Sequence, residues 1–316
     1  MRVLLMYPPS AEHRAALRAA APGAELCVAA SAEDAARQIP EADAVLGNRH
    51  FLQSLPHARR LRWMQSNSMG TDLVLSAGEL LDGVVVTSAR GVYDDEVAEH
   101  ALALALALLR DLHTLRDDQR ERRWARRPLA RLSECRALVL GWGGVGVGLA
   151  RRLAALGASV EGVRRNHSGA AATDAAGFPV WGPDGWRGRL PHVDLLFMAL
   201  PLTPETRSLV GRAELAALPR HARLVNVGRG GTVDEAALLE ALAAGRLAGA
   251  ALDVLEEEPP SPGFAGWAEP RLIVTPHVAR SVESPPHRWE PLFVENLRRF
   301  AHGEPLCNVV SREAGY

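Results

Sequence analysis

The sequence predicts an α/β protein built from two doubly wound parallel sheets. Three observations carry that expectation. Short apolar runs alternate along the chain with longer stretches rich in Ala, Leu, Glu and Arg. The runs are continuously apolar, as befits strands covered on both faces. They fall into two series, one ending at Thr87 and one starting at Ala137. With 316 residues, 47% of them hydrophobic, the chain can form two domains of ordinary size.

In the first series the expected strands are Val3–Met6, Leu26–Ala29, Ala44–Leu46, Leu61–Gln65 and Val84–Thr87. The second contains Ala137–Gly141, Ser159–Val163, Leu195–Ala199, Leu224–Val227, Ala250–Val254 and Leu272–Thr275. A long helix from Asp95 to about Leu115 is expected to bridge the two. A second crossing is expected near Ser281–Pro286, where a proline pair interrupts the chain, and a last helix over Trp289–Ala301 returns to the first unit. This places a discontinuous substrate domain over 1–96 and 283–316 around a continuous dinucleotide domain over 97–282. The arginine-dense segment Arg116–Arg131, which carries Trp124, reads as a solvated helix and loop, with a subunit-contact arm as the alternative. Thr232 and Glu235 have the spacing of a capping box, and Gly245 would end that helix.

Several function classes are excluded or disfavoured. A net charge of −1 gives no overall field for nucleic acid or an anionic membrane. All 36 basic residues are arginine, which removes Schiff-base and P-loop lysine chemistry. Cys27, Cys135 and Cys307 form no CxxC pair, so neither a disulfide framework nor a zinc site is expected, and a reducing cytoplasm fits. The opening MRVLLMYPPS is too short an apolar run for a signal peptide. Ala101–Leu109 is apolar all round but ends at Arg110 and Asp111, short of a membrane span. Asp94-Asp95-Glu96 reads as an acidic helix start rather than a metal cluster. His100 and Trp289 read as packed residues, although either could face a cleft.

ALVLGWGGVGVGLARRLAALG reads as strand, glycine-rich turn, helix. Gly141, Gly143 and Gly146 have GxGxxG spacing: the first for a tight turn, the second for close approach to a pyrophosphate, the third for helix packing. Gly144 and Val145 complete the expected phosphate cradle at the helix start, where free N–H groups and the helix dipole favour an anion. The next strand ends in Arg164 and Arg165, which can pair with a 2′-phosphate. Glu161 is an acid at about the right separation, but it sits within the strand. NADP(H) is therefore expected ahead of NAD(H), and no metal is expected.

Three further residues follow apolar runs of the second series: Arg229 in LVNVGRGG, Glu258 in ALDVLEEEPP and His277 in LIVTPHVAR. All would project from the carboxyl ends of parallel strands, where doubly wound sheets bind ligands. Reduction of a 2-keto acid needs a cation for its carboxylate and polarised carbonyl, and a proton donor for the developing alkoxide. Arg229 suits the first and His277 the second, with a nearby carboxylate favouring the protonated imidazole.

These motifs also resemble the D-isomer-specific 2-hydroxyacid dehydrogenase family over nearly the whole chain. The matching stretches are WMQSNSMGTD (63–72), EVAEHALALALAL (96–108), VLGWGGVG (139–146) and LPLTPETRSLV (200–210). LVNVGRGGTVDEAALLEAL (224–242), GAALDVLEEEPP (249–260) and IVTPHVA (273–279) complete them. The resemblance implies a Rossmann nucleotide domain inserted in a flavodoxin-like substrate domain. It implies Arg229 as the substrate-orienting cation, His277 as acid/base and Glu258 as its partner, the last chosen from Glu256–Glu258 because it directly precedes a proline. It also implies substrate binding by backbone N–H groups around Met69 and Gly70, a nicotinamide contact from Asp253, and Pro201 lying along the cofactor. A glyoxylate/hydroxypyruvate-type reductase, working as a homodimer on a small-molecule acid, is the expectation. The alternatives are an NAD-dependent enzyme for phosphoglycerate or a bulkier acid, or a cofactor-sensing, corepressor-like binding protein. Two departures from the family pattern stand out: Arg164 replaces the acid usual in NAD-using members, and Met69 replaces a small or β-branched residue.

Overall fold

A computed structural model describes residues 1–166, 172–280 and 288–315. The chain divides into two compact units, Met1–Tyr93 with Glu283–Tyr316, and Asp94–Val282. The crossing expected near Ser281–Pro286 lies outside the described residues.

The first unit follows a βα rhythm. Its strands are β1 (Arg2–Leu5), β2 (Glu25–Val28), β3 (Ala44–Leu46), β4 (Trp63–Gln65) and β5 (Val85–Thr87). Between them run α1 (Ala11–Ala20), α2 (Ala32–Gln38), α3 (Phe51–Ser54) and α4 (Asp72–Leu75). The parallel sheet has the order β2-β1-β3-β4-β5, the flavodoxin-like arrangement. Successive residues of β1 and the Met6 that follows it serve opposite faces: Leu4 and Met6 join one core cluster, Val3 and Leu5 the other. That two-sided burial is why the run is continuously apolar. Each fully buried leucine of this kind contributes roughly 1.5–3 kcal/mol. Ser10 caps α1 by accepting the His13 N–H. The C-terminal helix Glu290–His302 belongs to the same unit, held by buried Asn296, whose amide donates to Gln65.

The second unit opens with α5 (Asp94–Leu109) and α6 (Leu112–Arg120). One bridging helix to Leu115 was expected; the helix instead breaks at Arg110–Asp111. Asp111 adopts the left-handed conformation (φ 53°), which aspartate tolerates better than most residues, and Arg127 pairs with its carboxylate. The strands are β6 (Arg136–Leu140), β7 (Ser159–Val163), β8 (Ala172–Thr173), β9 (Pro179–Trp181), β10 (Leu195–Met198), β11 (Arg223–Asn226), β12 (Gly249–Leu252) and β13 (Leu272–Val274). The helices are α7 (Gly144–Ala155), α8 (Arg212–Ala217) and α9 (Glu235–Ala243).

The sheet order is β13-β12-β11-β10-β6-β7-β9-β8, all parallel except the β8–β9 pair. The order reverses between β6 and β10, the kind of switch point where doubly wound sheets bind ligands. The sheet has eight strands where six were expected. The two extra strands are not continuously apolar: both residues of β8 are exposed, and β9 opens on an exposed proline with only Val180 buried. Thr232 does not cap α9. It ends a short 3-10 turn, and the N-cap is Asp234, whose carboxylate accepts the Ala237 N–H. No described helix is long and apolar enough to cross a membrane.

Candidate active site

Within the second unit, six loops leave the carboxyl edge of one sheet. Those after β7, β6 and β10 carry Arg164, the glycine turn and Pro201; those after β11, β12 and β13 carry Arg229, Glu258 and His277. From β7 to β13 is five strand steps, roughly 24 Å at about 4.8 Å per step. An elongated ligand laid across that edge meets both halves.

The glycine turn is dictated by close approach. Gly141 has φ +102°, and a Cβ there would fall 2.4 Å from the Ala199 carbonyl oxygen. A Cβ at Gly146 would lie 2.1 Å from the Gly141 carbonyl oxygen and 3.3 Å from Val139, so only glycine brings α7 this near the sheet. A Cβ at Gly144 would meet the Asp94 carboxylate at 1.5 Å, whereas Gly143, the N-cap, faces open space. The N–H groups from Gly143 to Gly146 have no acceptor among the described residues. A glycine-lined helix start whose first amides lack backbone acceptors fits a dinucleotide pyrophosphate. Trp142 packs over Gly162 of β7, where a Cβ would fall 2.0 Å from its ring, and donates from Nε1 to Asp174 at 2.7 Å.

At the tip of β7, Arg164 and Arg165 are exposed. Glu161 is consumed inside the strand: it accepts from Trp181 Nε1 at 2.6 Å and pairs with Arg189 at 2.7 Å. The acid is therefore not at the tip. Pro201 is half-buried, its carbonyl accepting the Thr206 hydroxyl at 2.7 Å.

On the other half, buried Asn226 at the end of β11 shapes the arginine loop. Its Oδ1 accepts the Gly228 N–H and its Nδ2 donates to the Arg229 carbonyl, both at 3.0 Å. Arg229 is half-buried, with Nη1 donating to the Gly228 carbonyl at 2.7 Å. A Cβ at Gly230 would fall 1.9 Å from the Leu255 carbonyl carbon, so this loop lies directly on the segment that leads to Glu258.

Glu258 divides its carboxylate between two donors: Oε1 accepts the Leu255 N–H at 2.9 Å, and Oε2 meets His277 Nδ1 at 2.7 Å. Both side chains are partly exposed, 37% for Glu258 and 49% for His277. A cavity of about 540 Å³ opens beside the pair, walled by Leu255, Pro259, Pro260, Trp267 and Val274. His277 has φ +53°, a left-handed conformation that must be held by its surroundings. The holder is Asp253, only 1% exposed. Its backbone carbonyl accepts the His277 N–H at 2.8 Å, and its carboxylate accepts Thr275 Oγ1 and the N–H groups of Val278 and Ala279. Burial pushes the Asp253 carboxyl up, but His100, Thr275 and the two amides outweigh it and hold it below the usual range.

Glu235, expected to reach back to Thr232, instead accepts the Glu256 N–H from beneath the Glu258 loop. Burial, reinforced by Glu256 and Glu258, raises its carboxyl. Asn226, Thr275 and Glu235 act on the site without having been singled out for it, and His100, read as a packed residue that could face a cleft, contacts Thr275 and Asp253. The asparagine at a strand end before Gly-Arg-Gly, and the threonine beside Pro-His, were available signals.

In the first unit, Met69 and Gly70 follow β4. Asn48 and Ser66 knit the loop through Ser68, and Met69 packs against the core face containing Tyr7 and Trp289. The N–H groups of Met69 and Gly70 have no acceptor among the described residues. Trp289 is buried, edge-on to Tyr7 at 4.8 Å.

Residues 102–279 match the model of the D-isomer specific 2-hydroxyacid dehydrogenase NAD-binding domain. A glycerate dehydrogenase of Methylorubrum extorquens is 32% identical over 82% of this chain and 81% of its own. A glyoxylate reductase of Aeropyrum pernix is 34% identical over 86% of this chain and 84% of its own. The crystal structure of an NADPH-dependent glyoxylate/hydroxypyruvate reductase from Sinorhizobium meliloti, in complex with NADP and sulfate, superposes with a TM-score of 0.83. It is 30% identical and covers 100% of this chain and 99% of its own. The chain belongs to the D-isomer specific 2-hydroxyacid dehydrogenase family, a family of NAD(P)-dependent oxidoreductases.

Proposed function

We propose that this member is an NADPH-preferring reductase of a small 2-keto acid, of the glyoxylate or hydroxypyruvate type. The observation that carries the reading is the 2.7 Å contact between His277 Nδ1 and Glu258 Oε2. A carboxylate only accepts, so Nδ1 carries its proton and Nε2 is the nitrogen left to exchange one with substrate. The bound dinucleotide supplies the hydride. As the keto carbon receives it, imidazolium His277 gives its Nε2 proton to the carbonyl oxygen, and neutral His277 keeps the Nδ1 proton on Glu258. Arg229 is assigned to the substrate carboxylate, and the Met69 and Gly70 amides are assigned as further donors. Asp253 has one oxygen with a single donor, Ala279 N–H, leaving that oxygen able to accept from a carboxamide. A role in sensing alone gives no reason for an oriented proton donor.

Arg164 and Arg165 on the exposed β7 tip, with Glu161 tied up by Arg189, support NADP(H) over NAD(H). The NADP-bound relative points the same way. Segments 1–96 and 283–316 are assigned to substrate and 97–282 to the dinucleotide. The enzyme is proposed to work in the cytoplasm as a homodimer, with Trp124, 92% exposed, in the subunit contact. The test is NADPH and NADH oxidation against a panel of glyoxylate, hydroxypyruvate and bulkier keto acids. Faster turnover of the small acids with NADPH is expected; inactivity with every acid, or preference for NADH, overturns the corresponding assignment.

A further inference from the structure

We infer that His100 is a positioning residue for this reaction, acting on His277 through Thr275 and Asp253; the inference rests on the role proposed for His277. His100 lies on α5, its side chain 23% exposed, with Nε2 at 3.2 Å from Thr275 Oγ1 and 3.4 Å from Asp253 Oδ1. The proton inventory fixes the direction of these contacts. Thr275 has one hydroxyl proton, and it goes to Asp253 Oδ1 at 2.6 Å. The threonine oxygen can therefore only accept from His100, and a carboxylate can only accept. Nε2 of His100 must carry a proton, shared between the two oxygens.

That donor completes a short chain. Asp253 Oδ1 takes His100, Thr275 and the Val278 N–H; Oδ2 takes the Ala279 N–H; the Asp253 carbonyl takes the His277 N–H. The segment from Thr275 to Ala279 is thus tied at four points to one buried residue, and His277 sits in its middle with a left-handed backbone. His100 fixes the rotamers of the two side chains that do the tying. It touches none of the reacting atoms assigned above. Without its proton, Thr275 and Asp253 lose the donor that fixes their side chains, and the segment carrying the His277 imidazole loses that support.

The experiment uses the full chain with His100→Leu, which fills the space without a donor, and His100→Gln, whose amide restores one. In the Leu variant kcat for the best keto acid should fall on the order of tenfold to a hundredfold, the cost of a small misplacement of a catalytic group. KM and the dinucleotide Kd should stay within about threefold, and the Gln variant should recover most of kcat. Nitrogen NMR of the ligand-free protein should show His100 protonated at Nε2. A Leu variant within twofold of wild type, an equal loss in both variants, or a His100 tautomer protonated only at Nδ1 overturns the inference. The NMR arm needs no substrate, so an inactive wild-type enzyme defeats the proposed function while this arm still decides the tautomer.

Discussion

Replacing Glu258 by glutamine isolates the charge at the centre of the site. The carboxylate serves two donors with two oxygens, Leu255 N–H at 2.9 Å and His277 Nδ1 at 2.7 Å. Glutamine offers one oxygen, so one donor must face an NH₂ group. The larger loss is electrostatic. In the reaction proposed above His277 must be imidazolium before it gives up its proton, and the Glu258 carboxylate at 2.7 Å is placed to stabilise that cation. With charge centres about 4 Å apart, the attraction is about 4 kcal/mol at an effective dielectric of 20 and about 2 kcal/mol at 40. The partial exposure of both side chains, 37% and 49%, places the pair in that range rather than in a dry interior. The expected fall in kcat is therefore roughly 30- to 1000-fold, with the dinucleotide Kd changed less than about twofold because neither group belongs to the phosphate half of the edge. Steady-state kinetics with NADPH and a saturating keto acid, alongside dinucleotide titration by tryptophan fluorescence, make the measurement. A Gln variant that retains kcat within about threefold would refute the reasoning, since the charge would then contribute under about 0.7 kcal/mol.

Arg164→Asp should move the NADPH/NADH ratio of kcat/KM toward NADH by at least about tenfold, since it replaces the proposed 2′-phosphate partner with a ribose acceptor; an unchanged ratio removes the arginine argument. Gly146→Ala puts a methyl 2.1 Å from the Gly141 carbonyl oxygen, so it should lower stability by about 1–3 kcal/mol and weaken dinucleotide binding, read by denaturant unfolding and titration. His13, buried and hydrogen-bonded to Tyr7, is pushed down from 6.5 to about 4 by burial. Its folded value lies below the unfolded one, so stability is lost as pH falls from about 6.5 to about 4, by at most about 3 kcal/mol. His13→Gln should flatten that part of the pH–stability curve, and an identical curve in the variant would show that another group governs it.

Legibility in the sequence followed the physics of each feature. Strands buried on both faces announce themselves as unbroken apolar runs, so the central strands of both sheets were readable without partners. β8 and β9 were not, because neither is an unbroken apolar run: β8 is two exposed residues at the sheet edge, and β9 opens on an exposed proline with only Val180 buried. The break at Asp111 was hidden by a general weakness of periodicity: Leu112–Arg120 continues to look helical, and only backbone conformation separates it from α5. The cap at Asp234 was displaced from the expected Thr232 because the preceding glycines form their own tight turn against Leu255. Two residues could each have capped α9, and tertiary packing chose between them.

The site divides along a similar line. Arg229, His277 and a carboxylate of the Glu256–Glu258 run could be proposed from chemistry because each follows a legible strand, and parallel strands deliver their loops to one edge; the family resemblance selected Glu258. What the sequence could not supply is the layer that holds them. Asn226, Asp253, Thr275 and His100 are far apart in the chain, and their contribution lies in which oxygen accepts from which proton. That layer also resolves an ambiguity about Asp253. Resemblance implies a contact with the nicotinamide, while the structure gives its carboxylate to the segment carrying His277. The two roles are compatible, because Oδ1 carries three of the four donors and Oδ2 only one. A single buried carboxylate can then link the dinucleotide half of the edge to the proposed proton donor. Losing it should depress kcat and dinucleotide affinity together, whereas losing His100 should depress kcat alone.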